Sequence, residues 1–376
     1  MLFEWSYVKV FVLRRSLIIL LIDGDVWEYF QSKSVCAWTD SEKKYGKLFL
    51  MSLSCGIVGL PNSGKSTLFN ALLKRQVAQV AEYPYTTIEP NVGVVEVPDK
   101  RLSLLANSLS IQKIVPAAIK FIDLAGLIKG AHAGEGLGNQ FLAHIREVNA
   151  ILHVVRAFTN PNVTHIHGKV NSKEDIEVVD LELELADIKK PTIYVLNVDE
   201  SQLTGESVNQ LIKQIEQTTS QPVIPVCAKL EAELSDLSEE EQKEYLKEIG
   251  INQSSLDQVI SSSYKLLDLV TFFTIAGGKF ASADSASAAA SAKEAASAGP
   301  RQVQAWPVKV GTKMIEAAGI VHTDFAKGFI TAEVCDWQKL VEAGGWHNAK
   351  EKGLVHFAGR DEVVKDGEVV EFKFRV

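Results

Sequence analysis

The stretch GLPNSGKST, Gly59 to Thr67, has the composition and spacing of a phosphate cradle. It fits G-x-x-x-x-G-K-[ST], follows the apolar run CGIV and leads into the helical pattern TLFNALLK. Gly59 and Gly64 let the backbone curl so that successive N–H groups face an anion, and a helix N-terminus adds partial positive charge. Asn62, Ser63, Gly64, Lys65, Ser66 and Thr67 are therefore expected phosphate-side ligands. Lys65 would reach the β- and γ-phosphates and the Ser66 hydroxyl would bind Mg²⁺. In EYPYTTIEPNVGVV, between the first helix and the second strand, Thr87 can give its hydroxyl to Mg²⁺ and its amide to the γ-phosphate. In KFIDLAGLIKGAHAGEGLGNQF, Asp123 ends an apolar strand and can hold Mg²⁺ through water. Gly126 can donate its amide to the γ-phosphate, and the glycines at 130, 134, 136 and 138 predict a mobile loop. Leu127 stands where a Gln orients the attacking water in switch GTPases. Leu cannot do this, so basal hydrolysis should be slow and await another water-positioner or a partner.

The segment IYVLNVDES, Ile193 to Ser201, is placed to read the base. Guanine readers carry Asn-Lys-x-Asp; here Val198 replaces the Lys and Glu200 the Asp. That Asp accepts hydrogen bonds from guanine N1–H and N2–H₂, and adenine has neither donor. A site built to hydrogen-bond one base rejects another by roughly 10⁴ or more. Glu200, one methylene longer, should disturb the guanine pairing, and loss of the Lys removes its packing over the base. Asn197, Val198 and Glu200 would line the base pocket, with ATP the expected ligand and GTP the alternative.

These residues need strands to hold them. The runs CGIVGL, VGVVEV, IKFIDL, AILHVV, TIYVLNV and PVIPVC alternate with helical patterns, the signature of βαβ units and a mainly parallel sheet. EDIEVVDLELELADI and LSEEEQKEYLKEIG read as helices, the second with a solvated charged face. The fold class is α/β, a P-loop NTPase domain over 51–276. Residues 277–302, including the Ala/Ser-rich SADSASAAASAKEAASAGP, read as a linker or loop. A small second domain follows over 303–376, with KDGE as a hairpin turn between its last strands. Residues 1–50 look foreign to the rest: either Met51 is the natural start, or they are a real N-terminal extension that adds a strand.

At 46% hydrophobic and 23% charged, the 376 residues suit a globular protein. A net charge of -8 argues against a pervasive basic coat for nucleic acid. LIILLI near the N-terminus is far short of the ~20 residues that span a bilayer, and no small-residue cleavage site follows it. Cys36, Cys55, Cys227 and Cys335 show no metal or redox spacing. We expect a cytoplasmic monomer with no membrane association.

CGIVGLPNSGKSTLFNAL, YPYTTIEPNVGVVEVPD, DLAGLIKGAHAGEGLGNQFL, HIREVNAILHVVRAF and HGKVNSKEDIEVVDLELELAD together resemble the YchF branch of the Obg-like P-loop NTPases. VHTDFAKGFITAEV and EVVKDGEVVEFKFRV are similar to that family's terminal TGS domain, a small β-grasp fold. The resemblance implies a preference for ATP tied to the Asn-x-x-Glu element, Mg²⁺, and association with the ribosome or its RNA. Cys227, Ala228 and Lys229 resemble the base-side loop that is usually Ser-Ala-Lys. In NVTHIHGKV the resemblance points to His165, over His167, as the catalytic His replacing the missing Gln. Asn62 resembles a K⁺ ligand of related cation-activated enzymes. HTDFAKGF, His322 to Phe329, could meet RNA or simply complete the β-grasp core. Relatives insert a long helical domain between ELELADI and PTIYVLNV; here only Lys189 and Lys190 separate them. One reading is a slow ATPase. The other is a nucleotide-gated binding module that recruits a ribosome or regulator, with turnover as a timer.

Overall fold

The computed structural model describes residues 4–5, 8–13, 16–20, 53–79, 91–124, 137–165, 168–251, 253–276 and 301–375. The chain divides into two compact units, Met1–Met51 and Ser52–Val376. In the first, β1 (Glu4–Trp5), β2 (Val8–Leu13) and β3 (Ser16–Leu20) form an antiparallel sheet in that order.

The second unit opens with β4 (Ser54–Val58), whose five residues are all buried. A strand covered on both faces reads as a continuous apolar run, which is why SCGIV carries no alternation. The P-loop follows, and α1 (Lys65–Gln79) leaves it with Leu68 and Leu72 fully buried. β5 (Val92–Glu96), α2 (Lys100–Ser108), β6 (Lys113–Val115) and β7 (Ala118–Asp123) come next. Then follow α3 (Leu137–Glu147), the fully buried β8 (Ala150–Arg156) and α4 (Ser172–Leu185). β9 (Thr192–Asn197), α5 (Glu206–Thr219) and β10 (Val223–Val226) complete the first sheet. Its order is β10-β9-β8-β4-β7-β5. Only β5 runs antiparallel, along β7. The six strands are those expected from the apolar runs. Their carboxyl ends bring the P-loop, Asp123, Asn197 and Cys227 to one edge, the crevice where open α/β sheets bind ligands.

The remaining elements are α6 (Ala228–Leu234), α7 (Glu239–Glu248), α8 (Ser255–Leu266), β11 (Leu269–Ala276) and β12 (Gln302–Lys309). After them come α9 (Met314–Val321), α10 (Thr323–Lys327), β13 (Phe329–Asp336), α11 (Trp337–Ala343), α12 (Trp346–Glu351), β14 (His356–Ala358) and β15 (Glu368–Phe374). The second sheet is mixed, in the order β14-β13-β15-β11-β12-β6.

Two findings depart from the sequence reading. The boundary at 276 falls inside the second sheet: β11 pairs antiparallel with β12 over eight positions, from Leu269↔Lys309 to Ala276↔Gln302. β6, from within the nucleotide-domain stretch, extends the same sheet along β12. The apolar VTFF of β11 is buried at Phe272 and Phe273, and a second sheet supplies that cover. KDGE is a turn, but it does not make a hairpin between the last two strands. β14 and β15 lie on opposite sides of β13 and do not pair. The turn acts as a clamp. Asp366 accepts from Thr271 N–H at 2.9 Å and from the Arg101 guanidinium at 2.7 Å, while Arg101 also grips Asp99. Arg101 lies over the Phe273 ring at 5.2 Å, so one side chain ties α2 to the second sheet. The core is continuous between them: Ile57, Leu105, Val259, Ile260, Phe273, Val303 and Val369 belong to one buried cluster. In the HTDFAKGF segment His322 caps α10 and Phe325 packs 4.2 Å from Phe374, so the aromatics there close the hydrophobic layer.

Candidate functional site

The P-loop turns sharply because three of its residues have positive φ: Gly59 (154°), Asn62 (62°) and Gly64 (98°). A Cβ on Gly59 would lie 2.3 Å from the Val154 carbonyl oxygen, and one on Gly64 would lie 2.1 Å from Asn197 Nδ2. Glycine is therefore required at both positions by space as well as by backbone conformation. Asn197 is the brace of the site. Its Nδ2 donates to the Ser63 carbonyl at 2.9 Å, and its Oδ1 accepts from Ala228 N–H at 3.2 Å. The side chain at the end of β9 thus locks the P-loop to the start of α6.

Lys65 is buried, and its ammonium donates to the Leu60 carbonyl at 2.9 Å. Burial lowers its pKa, an effect partly offset by the negative charge of Asp123. Such a lysine is held in the loop by one carbonyl and gains most from an arriving polyanion. Ser66 Oγ donates to Asp123 Oδ2 at 2.9 Å, and Asp123 Oδ1 is buried with no hydrogen-bond partner among the described residues. Ser63 Oγ is buried and unsatisfied in the same way. Orphaned oxygens of this kind call for a ligand or ion to complete them. The hydroxyl–carboxylate pair fits Mg²⁺, which binds through one or two protein oxygens and keeps waters and phosphates for the rest. Among the described residues no group of three or more His, Cys, Asp or Glu forms a closed metal cage. Thr87, Gly126, Leu127 and His167 lie outside the described residues.

A cavity of about 790 Å³ opens beside the P-loop. Gly64, Thr67, Asn197, Val198, Glu200, Cys227, Ala228 and Lys229 line it. Val198 is 2% exposed, its isopropyl group packed in the core with Leu203, so it fills the wall without presenting a polar group. Glu200 opens a single turn of 3₁₀ helix, and its Oε1 accepts from the Tyr245 hydroxyl of α7 at 3.0 Å. One of its oxygens is thereby engaged before any base arrives. Cys227 caps α6 with its thiol buried, which raises its pKa. Lys229 is solvent-exposed and faces Glu233 at 3.8 Å.

His165 does not stand in open solvent. Its Nε2 lies 2.9 Å from Asp175 Oδ2, with the two side chains only 5% and 4% exposed. Asn62 Nδ2 donates to the carbonyl of the preceding residue, Thr164, at 3.2 Å, so this loop abuts the P-loop. Sequence reasoning missed Arg156, Asp175, Phe158 and Tyr245. Arg156 is buried and donates to the carbonyls of Phe158, Val163 and Thr164, while Phe158 walls the cavity. Nothing local in the sequence marks them, since each acts on a partner set by the fold.

The MMR_HSR1 family model, a 50S ribosome-binding GTPase, matches residues 54–198. The YchF-GTPase_C model, a family of unknown function, matches residues 295–375. The chain is 40% identical to the ribosome-binding ATPase YchF of Bacillus subtilis, with 87% of this chain and 100% of that protein covered. It is 38% identical to the protein of the same name from Escherichia coli O157:H7, over the same shares of the two chains. Among solved structures, the Schizosaccharomyces pombe YchF GTPase superposes with a TM-score of 0.69 at 27% identity, covering 86% of this chain and 98% of that one. A phosphate cradle braced by Asn197, a cavity holding Glu200 and likeness across both sheets lead to one assignment: this chain is a P-loop nucleotide-binding protein of the YchF family.

Proposed function

We propose that the protein is a Mg²⁺-dependent ATPase of slow intrinsic turnover that works as a nucleotide switch on the ribosome. The observation that carries the adenine assignment is Glu200, set in the cavity wall with Oε1 held by Tyr245. A guanine reader points both carboxylate oxygens at N1–H and N2–H₂; here the Tyr245 hydroxyl draws one of them, Oε1, toward α7. GTP remains the alternative, and relatives carry both names, ATPase for the bacterial proteins and GTPase for the yeast one.

In this reading Lys65 gives up its tether to the Leu60 carbonyl for the β- and γ-phosphates, where burial strengthens the attraction. Ser66 and Asp123 hold Mg²⁺, which when bound neutralises charge between the β- and γ-phosphates. Thr87 would give its hydroxyl to Mg²⁺ and its amide to the γ-phosphate, and Gly126 would give its amide to the γ-phosphate. His165 orients the attacking water in place of a Gln, and Asn62 is a candidate K⁺ ligand through its amide oxygen. Chemistry is then mostly positioning and charge stabilisation.

The ribosome is proposed as partner because the curated relatives are named for it, and that would place the protein in the cytoplasm. Among the described residues no helix is long and apolar enough to cross a membrane. We also read the C-terminal sheet as a TGS-type module and the helical insertion of relatives as missing. Supporting that, Lys189 and Lys190 close α4 directly onto β9. The match to the Bacillus protein also runs over 390 positions, more than the 376 residues of this chain, so gaps fall on this side.

Calorimetric titration with non-hydrolysable ATP and GTP analogues, with Mg²⁺ and K⁺ present, tests the base. ATP binding tighter by tenfold, ~1.4 kcal/mol, is expected. Preference for GTP overturns the reading of Glu200. Turnover with and without ribosomes tests the switch, and strong intrinsic turnover refutes it.

A further inference from the structure

Arg156 reaches both ends of the site. It closes β8, where it pairs with Asn197 of β9. The segment that follows, 157–165, runs from the cavity to the P-loop. Phe158, Asn160 and Val163 line the cavity. Thr164 gives its carbonyl to Asn62 of the P-loop at 3.2 Å, and His165 comes next. The guanidinium spans that length. Nε donates to the Phe158 carbonyl at 3.2 Å, and the two terminal nitrogens donate to Val163 at 3.0 Å and Thr164 at 3.3 Å. Its central carbon lies 4.4 Å from the centre of the Phe158 ring, a cation–π contact. The base of this arrangement is itself held. The Arg156 carbonyl accepts from Ser172 Oγ at 2.9 Å, and Ala157 N–H donates to the Asn197 carbonyl at 2.8 Å. Arg156 is 3% exposed. Burying a charge so deeply is costly unless its donors are used. The rigid fork of a guanidinium can hold three separate carbonyls at once, and the single ammonium of a lysine cannot reproduce that geometry.

We propose that Arg156 is a positioning residue that fixes 157–165 as one strap, so that a base in the cavity orders the backbone beside the P-loop and phosphates in the P-loop order the cavity wall. This rests on the reading of the cavity as the base site. A ligand at one end restricts the strap and leaves less ordering for the other to supply, and such coupling is reciprocal. The consequence for turnover rests also on the reading that His165, at the end of the strap, orients the attacking water. A base then raises kcat as well as affinity.

Hydrogen exchange on the full chain with Mg²⁺ reads the strap without turnover. Two probes each meet one end: adenosine has a base and no phosphate, and inorganic tripolyphosphate has phosphates and no base. Each should slow exchange along the whole of 158–165 in the wild type, by about threefold or more. In Arg156→Lys each should protect its own end alone, adenosine near Phe158 and tripolyphosphate near Thr164. Protection confined to one end in the wild type overturns the proposal, and so does full-length protection in Arg156→Lys. Adenosine that protects nothing anywhere overturns the base reading of the cavity, and the proposal with it. Should Arg156→Lys fail to fold, Arg156→Gln is the second variant, uncharged and so cheaper to bury. Turnover separates the strap from the functional reading. Arg156→Lys should lower kcat for ATP about tenfold or more while changing tripolyphosphate affinity less than about twofold. A matching loss of tripolyphosphate affinity would assign Arg156 to the folding of the P-loop and overturn the proposal. Loss of end-to-end protection with kcat unchanged leaves the strap standing and overturns the His165 reading instead. A wild type that turns over no ATP overturns the ATPase reading, and the exchange result still decides the strap.

Discussion

Removing the Asn197 amide should unfold the site before it touches any nucleotide. Asn197 is 6% exposed and hydrogen-bonds the Ser63 carbonyl and the Ala228 N–H. In Asn197→Ala both backbone groups lose that partner in a buried place. Each such loss costs about 1–3 kcal/mol, so the variant should lose about 2–6 kcal/mol. Asn197→Asp separates the two bonds. It keeps the acceptor for Ala228 N–H but sets a carboxylate oxygen 2.9 Å from the Ser63 carbonyl oxygen. A buried charge with no opposite charge paired to it costs about 3–5 kcal/mol, so the near-isosteric variant should be at least as damaging as the truncation. The assay is urea unfolding without nucleotide, comparing midpoints at constant slope. The amide also blocks Gly64→Ala, since the added methyl would meet Nδ2 at 2.1 Å. In the Asn197→Ala background that clash disappears and only the cost of the 98° φ remains, so the two losses should be less than additive. An Asn197→Ala loss below about 1 kcal/mol, or a better tolerated Asn197→Asp, would refute the brace.

Three further outcomes follow from single contacts. Burial lowers the pKa of Lys65 in the folded chain below its ordinary 10.5, so between those values the unfolded chain binds more protons. Its contribution to stability therefore rises with pH across that window, and the stability gap between wild type and Lys65→Met should shift in favour of the wild type as the pH rises toward 10.5. Equal slopes would show that the ammonium is hydrated. Asp366→Ala should cost about 1–2 kcal/mol by orphaning the buried Thr271 N–H, whereas Asp366→Asn, which loses only a half-exposed ion pair, should cost under about 1 kcal/mol in the same unfolding assay. Lys190 donates to the carbonyls of Arg146 and Val148 at the end of α3. Lys190→Ala should speed hydrogen exchange in the last turn of α3 while leaving α5 unchanged.

The elements of the first sheet were legible because each is announced locally. SCGIV and AILHVVR are mostly apolar and buried at every position, and the P-loop carries its own glycines. The residues that line the cavity beside it were also readable, since Asn197, Glu200 and Ala228 follow strand ends in a fixed chain order. What could not be read were partners chosen by the fold. Asp175 is one acid among several in SKEDIEVVDLELEL, and only the packing of α4 shows which one faces His165. Tyr245 lies in a charged helix 45 residues beyond Glu200. The membership of β11 in the second sheet was hidden because a buried strand looks the same in either sheet, and β6, three residues with none buried, is too short to show a period. KDGE misled for a related reason: turn chemistry specifies a reversal, not which strands will pair beside it.

The pairing of Ala276 with Gln302 sets terms for whatever joins them. The two ends of the Ala/Ser-rich stretch are fixed as neighbours on adjacent strands, about 5 Å apart, by a ladder eight pairs long. Closing a chain between two such points costs entropy that grows only with the logarithm of its length, about 0.6 kcal/mol for each doubling. The stretch is thus free to lengthen or shorten over generations at almost no thermodynamic penalty, provided its ends still reach. Replacing the whole stretch with a tight turn should leave the unfolding midpoint nearly where it was.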